Sequence, residues 1–475
     1  MRKPGIALVA VLVAALAAAV AGAEPGEQTG PSSSQSPYVV RSQPGVVTRS
    51  ILTVGDSVNK KPDGVTPYRM VGIPDGLGAF DNGDGTFTLL MNHELPGNGV
   101  VRAHGSVGAF VSKWTIEKGS LRVLRGEDLA QQLMLWNGSR YTADTSALSR
   151  LCSADLAAPA AFYNAATGKG FDGRLFLNGE ESGTEGRAWA HGMNGTSWQL
   201  PYLGRFAWEN AVASPHSGDK TAVVGLDDGL DGQVYVYVGT KQTTGNVVEK
   251  AGLYGGSLYG IKVQGLAAES DATVLAADTR FELANLGNVS GILGSTLNGN
   301  SNSAGVTRFL RPEDGSFDPT NPRYFYFVTT NGFNKPSKLW RLTFDDPTNP
   351  AAGGTIETLL SGTEGQQMMD NITVNDRGQV LIQEDPGNQA VIAKLWLYSP
   401  TTDTLTEIAH HDPDRFAPGS PGFVTQDEES SGIIPAPFLG NGKYLLDVQA
   451  HYRTDDELVE GGQLLQLHIP PGKFK

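Results

Sequence analysis

Short apolar segments that alternate with glycine-containing turns constrain the fold of this chain most strongly. Glycine makes up 60 of the 475 residues, nearly twice the usual share of about 7%, and it follows no collagen-like period. Turns such as Asp231-Gly232 and Asn441-Gly442 are strong hairpin signals, because aspartate, asparagine and glycine tolerate a positive φ. The chain is therefore predicted to consist mainly of short antiparallel strands.

The predicted strands are short runs that are rich in β-branched and aromatic residues. They are Thr86–Leu90, Arg174–Leu177, Gln233–Val238, Tyr324–Val328, Lys338–Leu342, Gln379–Ile382, Lys394–Tyr398 and Tyr444–Val448. Only Gly126–Trp136 and Asp144–Cys152 are predicted to be helical. Many strands with so few helices exclude both a simple barrel and a parallel α/β sheet.

A degenerate repeat places a carboxylate-bearing loop before one turn-strand unit after another. The carboxylates at the start of three such units are Asp75, Glu313 and Asp370. Four-stranded blades around a central channel would produce this pattern, since each blade presents its innermost strand to the axis. We therefore predict an all-β fold, a β-propeller of six blades in which the N-terminal and C-terminal strands close one blade. A pair of β-sandwich domains is the alternative.

The first residues have the pattern of a targeting signal. Arg2 and Lys3 precede an apolar stretch from Gly5 to Val20, and Ala21-Gly22-Ala23 is a small-residue cleavage pattern. The predicted organisation is a signal peptide at 1–23, a flexible leader at 24–45 and a single propeller domain at 46–475. The mature protein is expected to be extracellular or periplasmic and free of the membrane. A retained membrane anchor is the alternative.

The chain is acidic, with 36 lysines and arginines against 50 aspartates and glutamates and a net charge of −14. Such a chain supplies no basic footprint for nucleic acid, which argues against that class of partner. The single cysteine, Cys152, excludes a disulfide scaffold and is interpreted as an ordinary small buried residue. We expect a monomer.

Acidic residues also concentrate at the ends of apolar strands. These clusters are Asn92-His93-Glu94, Asn178-Gly179-Glu180-Glu181, Trp208-Glu209-Asn210, Glu313-Asp314, Asp370-Asn371, Gln383-Glu384-Asp385-Pro386 and Asp427-Glu428-Glu429. Carboxylates gathered in a channel of low dielectric repel one another, and protonation or a bound cation relieves the repulsion. Oxygen ligands with few histidines or cysteines suit Ca²⁺ better than Zn²⁺. The alternative is that strand ends and turns simply carry solvated acids.

The order of these motifs, from Pro74-Asp75-Gly76 and Asn92-His93-Glu94 through Arg311-Pro312-Glu313-Asp314 to Asp447-Val448-Gln449-Ala450-His451, resembles the PhoX-type alkaline phosphatases. It is also similar to the esterase-like phytases. The resemblance spans roughly residues 71–451. It implies a β-propeller whose central channel holds a cluster of Ca²⁺ and Fe³⁺ that hydrolyses phosphate esters, and it implies export.

The resemblance assigns site residues by position. The implied metal ligands are Glu94, Glu180, Glu181, Glu209, Glu313, Asp314, Asp370, Asn371, Glu384, Asp385 and Glu429. The implied catalytic residues are Glu180, Glu181 and Arg311, although Arg311 is also interpreted as a salt-bridge partner of Glu313. The family has a cysteine immediately before the paired glutamates, as a thiolate ligand for iron, where this chain has Gly179. A Ca²⁺ site is therefore expected, and the glycine argues against Fe³⁺.

The first functional hypothesis is a secreted, Ca²⁺-dependent, phosphatase-like hydrolase that acts on a small phosphorylated substrate through a carboxylate-lined channel. The second is a non-catalytic, calcium-stabilised propeller that binds a ligand or partner. A phytase-type or lactonase-type hydrolase on the same fold is the third, since architecture alone does not fix the substrate.

Overall fold

The structure, a computed structural model, describes residues 26–474. The predicted signal peptide lies outside these residues. The N-terminal strands are β1 (Glu27–Thr29), β2 (Val39–Arg41), β3 (Val47–Thr53), β4 (Ser57–Lys60) and β5 (Pro67–Arg69). β1 pairs with β3 in parallel, and β2 belongs to a sheet formed much later in the chain. The segment predicted to be a flexible leader therefore contains two strands, because its backbone groups find partners on existing sheet edges.

The next part of the chain, from residue 74 to residue 309, forms three groups of strands. The first group is β6 (Pro74–Asp81), β7 (Thr86–His93), β8 (Phe110–Glu117) and β9 (Val123–Asp128). The second is β10 (Gln132–Trp136), β11 (Tyr141–Asp144), β12 (Leu151–Asp155), β13 (Tyr163–Asn164), β14 (Lys169–Gly170), β15 (Leu175–Glu180), β16 (Ala188–Gly192) and β17 (Thr196–Gln199). The third is β18 (Trp208–Ala213), β19 (Lys220–Asp227), β20 (Gly232–Thr240), β21 (Ser257–Val263), β22 (Arg280–Gly287) and β23 (Arg308–Phe309).

Three further groups complete the chain. The fourth is β24 (Pro312–Phe317), β25 (Tyr324–Thr329), β26 (Lys338–Phe344) and β27 (Gly354–Leu360). The fifth is β28 (Met369–Val374), β29 (Val380–Glu384), β30 (Lys394–Ser399) and β31 (Thr404–His411). The sixth is β32 (Glu428–Pro435), β33 (Lys443–Arg453) and β34 (Glu460–His468). The prediction of an all-β protein is confirmed.

Antiparallel neighbours dominate each group. β6–β9 form one sheet, and β12, β15, β16 and β17 form another that β10 and β11 extend. β18–β21 and β24–β27 lie in one larger sheet, which β22 joins across its pairing with β27. β28–β31 pair with β2, and β32–β34 pair with β3. One sheet thus contains both the N-terminal and the C-terminal strands, as predicted.

One strand of each group lies at the centre of the molecule: the first strand in five groups, and β12 in the second group. These inner strands are β6, β12, β18, β24, β28 and β32. Each contacts the next one along the chain, and β32 contacts β6. The six inner strands therefore form a closed ring of contacts, with large apolar cores between neighbouring sheets. One of these cores stacks Phe206 on Trp208 and on Tyr235.

Helices are few in the described chain. The α-helices are α1 (Val247–Lys250), α2 (Gly294–Ala304) and α3 (Pro413–Phe416), and the 3-10 helices are Pro159–Ala161, Gly183–Glu185, Pro201–Leu203, Pro350–Ala352 and Pro437–Leu439. Between residues 26 and 474, no helix has the length and apolar character needed to cross a bilayer.

Both predicted helices are wrong. Gly126–Trp136 covers the end of β9 and all of β10, while Asp144–Cys152 runs from the end of β11 into β12. β10 pairs with β11 on one side and with β17 on the other. Pairing on both edges outweighs the local preference that the sequence shows.

Candidate metal centre

The second residue of every inner strand carries a carboxylate or a thiol, side chains of the kinds that can bind metals. These residues are Asp75, Cys152, Glu209, Glu313, Asp370 and Glu429, in β6, β12, β18, β24, β28 and β32 respectively. The same position in each group therefore supplies one carboxylate or thiol. Because the inner strands form a ring, the repeat gathers these side chains around one axis.

A β-bulge follows this position in each inner strand. The register shifts lie between Asp75 and Leu77, Leu151 and Ala154, Trp208 and Ala211, Pro312 and Gly315, Met369 and Ile372, and Ser431 and Ile433. A bulge inserts one unpaired residue and re-aims the neighbouring side chains, which is common beside functional sites. The bulge thus separates the end of each inner strand that carries the carboxylate or thiol from the regularly paired rest of the strand.

Three overlapping groups of possible ligand atoms result. They are Asp75 with Glu94 and Cys152, Cys152 with Glu181 and Glu209, and Glu209 with Glu313 and Asp370, and within each group the ligand atoms lie within 4.8 Å of one another. Cys152 and Glu209 each belong to two groups, so the seven side chains form one continuous cluster, which we call the thiol–carboxylate cluster.

The cluster is buried and strongly acidic. Asp75, Glu313 and Cys152 are only 2%, 2% and 4% exposed. Burial, followed by repulsion from neighbouring carboxylates, raises the pKa of Asp75, Glu209, Glu313 and Asp370 well above the usual range. Burial, followed by repulsion from nearby carboxylates of which Glu94 acts most strongly, also raises the pKa of the Cys152 thiol. A cation removes this repulsion, so the donor set fits a bound metal.

Basic side chains surround the cluster. Arg150 forms ion pairs with Glu94, at 2.8 Å, and with Glu181. Arg311 contacts Asp228 and Glu313, each at 2.8 Å. The interpretation of Arg311 as a salt-bridge partner of Glu313 is confirmed.

A cavity of about 360 Å³ opens over one side of the cluster. Its wall includes Glu94, Arg150, Asp385, Glu429 and His451. Burial alone would lower the pKa of His451. Hydrogen bonds and negative charge from Glu429 and Glu460 outweigh burial and raise this pKa to about 11. Burial and the nearby Glu429 raise the pKa of Asp385 to about 7. The cavity therefore combines cationic groups with carboxyl groups that can carry a proton at neutral pH.

A family model described as alkaline phosphatase PhoX matches residues 190–406. The predicted resemblance to the PhoX family is confirmed. The matched segment contains Glu209, Glu313 and Asp370 of the thiol–carboxylate cluster. The PhoX match also supports the predicted enzyme class, a phosphatase-type hydrolase.

Solved structures add a likeness of fold. PhoX from Pseudomonas fluorescens, in complex with the transition state analogue vanadate, has a TM-score of 0.64 and 12% sequence identity, covering 90% of this chain and 95% of that chain. A protein of unknown function from Dyadobacter fermentans has a TM-score of 0.42 and 9% identity, covering 90% of this chain and 100% of that chain. Among curated proteins, no sequence matches this one.

The structure brings part of the predicted PhoX-like ligand set together. Glu94, Glu181, Glu209, Glu313 and Asp370 lie in the thiol–carboxylate cluster. Asp385 and Glu429 lie on the cavity wall beside it.

Glu180 and Glu384 lie outside the three ligand groups and have structural partners. Glu180 accepts hydrogen bonds from the Arg187 guanidinium, the Ser149 N–H and the Trp189 indole. Glu384 accepts from the Gln367 and Lys394 N–H groups and from the Trp396 indole. Each is the last residue of its strand, and each binds a tryptophan of the next strand along the sheet. Their carboxylates hold neighbouring strands together, which differs from the predicted metal-ligand role.

Asp314 and Asn371 occupy the third position of their inner strands and form a hydrogen-bonded layer beside the cluster. The Asn210 amide donates to Asp314 at 2.6 Å, and the Asn371 amide donates to the Ser153 hydroxyl at 2.6 Å. Ser153 in turn donates to Glu209. Both residues were predicted to be metal ligands. In the structure they instead form hydrogen bonds that help to position Glu209 and its neighbours.

Cys152 is buried, as predicted, but its surroundings are those of a possible metal ligand. Its Sγ lies 3.3 Å from a carboxylate oxygen of Glu181 and belongs to two of the three ligand groups. A Cβ at Gly179 would lie 2.2 Å from the Trp208 Cβ, so this position packs against a core tryptophan. The only thiol of the chain therefore lies in β12, beside the carboxylates, so Gly179 by itself does not exclude a thiolate ligand.

Sequence reasoning also missed Asp75 and Arg150 as members of the site. Asp75 belongs to a motif that the sequence analysis names without assigning it as a ligand, and Arg150 lies inside the predicted helix Asp144–Cys152. The missed signal is the repeat itself, since the residue two positions into each inner strand is acidic or a cysteine in all six cases.

Without metal, the protein is expected to lose stability as the pH rises from about 5 to about 8. Burial raises the pKa values of Glu181 and Asp385 to about 7, above the value near 4 of an unfolded carboxyl group. The folded state then binds more protons than the unfolded state in this window, so stability falls with pH. Thermal unfolding of chelator-treated protein at several pH values measures the effect, and added Ca²⁺ should reduce it. A melting temperature that rises over this range would contradict the prediction.

Proposed function

We propose that this protein is an exported, metal-dependent hydrolase of phosphate esters and that the thiol–carboxylate cluster is its metal centre. The observation that carries the proposal is the ligand-bearing second residue in all six inner strands, which places Cys152 among buried carboxylates. The PhoX match supports the reaction class. The signal-peptide pattern from Arg2 to Ala23 supports export.

We also propose that the fold is a six-bladed β-propeller. The closed ring of contacts among the six inner strands supports it, as does the four-stranded antiparallel order that follows each inner strand. The pairing of β3 with β34 supports closure of the last blade by the two ends of the chain. In this arrangement the metal centre lies at one end of the central channel.

The donor set fits two kinds of metal. Carboxylate oxygens such as those of Asp75 and Glu94 suit Ca²⁺, whereas the Cys152 thiolate suits a softer metal such as iron. Cys152, Glu181 and Glu209 would hold the softer metal, and Glu313 and Asp370 extend the oxygen-rich side. Such metals, when bound, stabilise charge on phosphate oxygens and lower the pKa of a water molecule.

The residues of the chain supply positive charge and protons around the substrate. Arg150 is the more exposed of the two cations on the cavity wall, with 47% of its side chain accessible, so its guanidinium can bind phosphate oxygens while keeping Glu94 and Glu181 in place. Asp385, with a pKa of about 7, can hold or release a proton in the same cavity. Arg311 forms ion pairs with both Asp228 and Glu313 and thereby positions Glu313.

Adjacent glutamates provide a matched test of the proposed function. Glu181→Gln should lower the hydrolysis of p-nitrophenyl phosphate at least tenfold, roughly the minimum cost of disturbing a metal site, because Glu181 belongs to the cluster. Glu180→Gln should retain the activity and instead lower the free energy of unfolding by about 1.5–3 kcal/mol, the worth of a hydrogen bond to a charged group. Steady-state kinetics and urea unfolding on both variants measure the contrast. Equal activity loss in both variants, or unchanged activity in Glu181→Gln, would contradict the proposal.

A further inference from the structure

A second large cavity, of about 710 Å³, lies at the outer edge of the first sheet. Its wall is formed by the hairpin of β4 and β5, by β9 and by residues 101–103. β9 is the outermost strand of the sheet that begins with β6, whereas the thiol–carboxylate cluster is carried mainly by inner strands. The cavity is therefore separate from the proposed metal centre, and its size falls in the range of small-molecule sites.

The cavity is basic although the chain is acidic. Lys60, Lys61, Arg102 and Arg125 line it, against only Glu127 and Asp128. Lys61 is paired with Glu457, and Arg125 is paired with Glu127, which also binds Lys113. Across residues 26–474, neither Lys60 nor Arg102 has a carboxylate within 4.0 Å of its charged group. Two of the four cations are therefore not neutralised by a direct ion pair.

Arg102 is the informative residue, because it is buried and its hydrogen bonds are incomplete. Only 5% of the residue is exposed, and its guanidinium stacks 4.0 Å from the centre of the Phe110 ring. One Nη atom donates to the carbonyl oxygen of Glu457 at 3.2 Å, while Nε has no partner. Burial lowers the pKa of Arg102. A buried cation with an unmet donor is costly, and an anion beside it would reduce that cost.

Apolar side chains complete the cavity wall. Val101 is 66% exposed and Leu124 is 39% exposed, and both line this cavity together with the ring of Tyr68. Large apolar side chains left open beside unneutralised cations fit a ligand with an apolar body and an anionic head. We propose that this cavity binds a small organic anion, in which a carboxylate or phosphate group is joined to an alkyl or aryl group.

The test is calorimetric titration of the full mature chain with octanoate and with octylphosphonate, a non-hydrolysable stand-in for an alkyl phosphate. Octylammonium and octanol are the control ligands. At least one anion should bind, octylammonium and octanol should bind more weakly or not at all, and the tighter anion identifies the preferred head group. Binding of octylammonium or octanol as tight as that of the anions, or no binding of either anion, would overturn the proposal.

Variants separate this cavity from the metal centre. Arg102→Gln should weaken anion binding at least about tenfold, since it removes a charge-assisted hydrogen bond. The exposed Lys60→Gln, which is expected to fold normally, should weaken it by up to about fivefold. Lys262→Gln, an exposed lysine remote in sequence, is the control and should change nothing. All three should hydrolyse phosphate esters like the parent protein. If Arg102→Gln folds, unchanged anion affinity in both Lys60→Gln and Arg102→Gln would overturn the proposal. If Arg102→Gln does not fold, unchanged anion affinity in Lys60→Gln alone would overturn it.

Discussion

Cys152→Ser is expected to lower phosphate-ester hydrolysis by at least about a hundredfold, the upper range for disturbing the surroundings of a metal, while the protein stays folded. Cys152 is the only thiol of the chain, and it belongs to two of the three groups of ligand atoms. Serine has nearly the same shape but a much harder and less acidic donor atom, so the softer metal loses its preferred ligand. Steady-state kinetics, together with metal analysis of the same preparation, measures the effect.

The control for this prediction is stability. A serine hydroxyl can still donate a hydrogen bond to the Glu181 carboxylate, as the Cys152 thiol does, so chelator-treated parent and variant should unfold at similar denaturant concentrations. Activity within threefold of the parent would show that the thiol is not a ligand and that Cys152 is a buried residue without a chemical role. An unfolded variant can be replaced by Cys152→Ala, which keeps the small volume and removes the donor atom altogether.

Glu209→Gln is expected to have an effect of the same order, because Glu209 joins two of the ligand groups. It is 4% exposed and shared by the group of Cys152 and Glu181 and the group of Glu313 and Asp370. Glutamine keeps the shape but removes the charge, so both groups lose an anionic ligand at once. We expect the metal content per chain to fall, and activity to fall at least about tenfold.

Glu384→Gln is the matched control for Glu209→Gln. Both glutamates are buried strand residues, but the Glu384 carboxylate accepts from two backbone N–H groups and a tryptophan. Its neutralisation should leave the metal content unchanged and lower the unfolding free energy modestly. Equal metal loss in the two variants would mean that the thiol–carboxylate cluster has no special part in binding. Full metal content in Glu209→Gln would contradict the prediction directly.

The fold class was predictable because strand and turn signals are local. Segments such as Tyr324–Val328 and Lys394–Tyr398 show strand residues between turn residues, and the structure has β25 and β30 at these places. The two predicted helices failed because β10 and β12 owe their conformation to pairing with strands distant in sequence. No local pattern reports that pairing.

The site was predictable in part for a related reason. Glu181, Glu209, Glu313 and Asp370 were found because acidic residues at the ends of apolar strands are unusual. In sequence, Glu180 cannot be distinguished from Glu181. Only the structure shows that the Glu180 carboxylate already accepts a hydrogen bond from the guanidinium of Arg187. A strand reverses the direction of its side chains at every residue, so adjacent glutamates have different surroundings.

Cys152 was missed because the resemblance pointed to the wrong place for the thiol. The comparison by order of motifs expected it immediately before Glu180, where Gly179 packs against Trp208. The bulge in β12 instead directs Cys152 toward the carboxylates of neighbouring groups. Reading the second residue of each inner strand as a six-fold repeat would have included both Cys152 and Asp75.

The most direct test of the metal centre is the elemental content of the mature protein, purified without chelators or a metal-binding tag and measured by inductively coupled plasma mass spectrometry. Three overlapping ligand groups that share Cys152 and Glu209 predict more than one metal ion per chain, with calcium present and iron alongside it. Cys152→Ser should then lose iron first. A parent protein without stoichiometric metal would contradict the account, because its buried carboxylates would have to remain protonated instead.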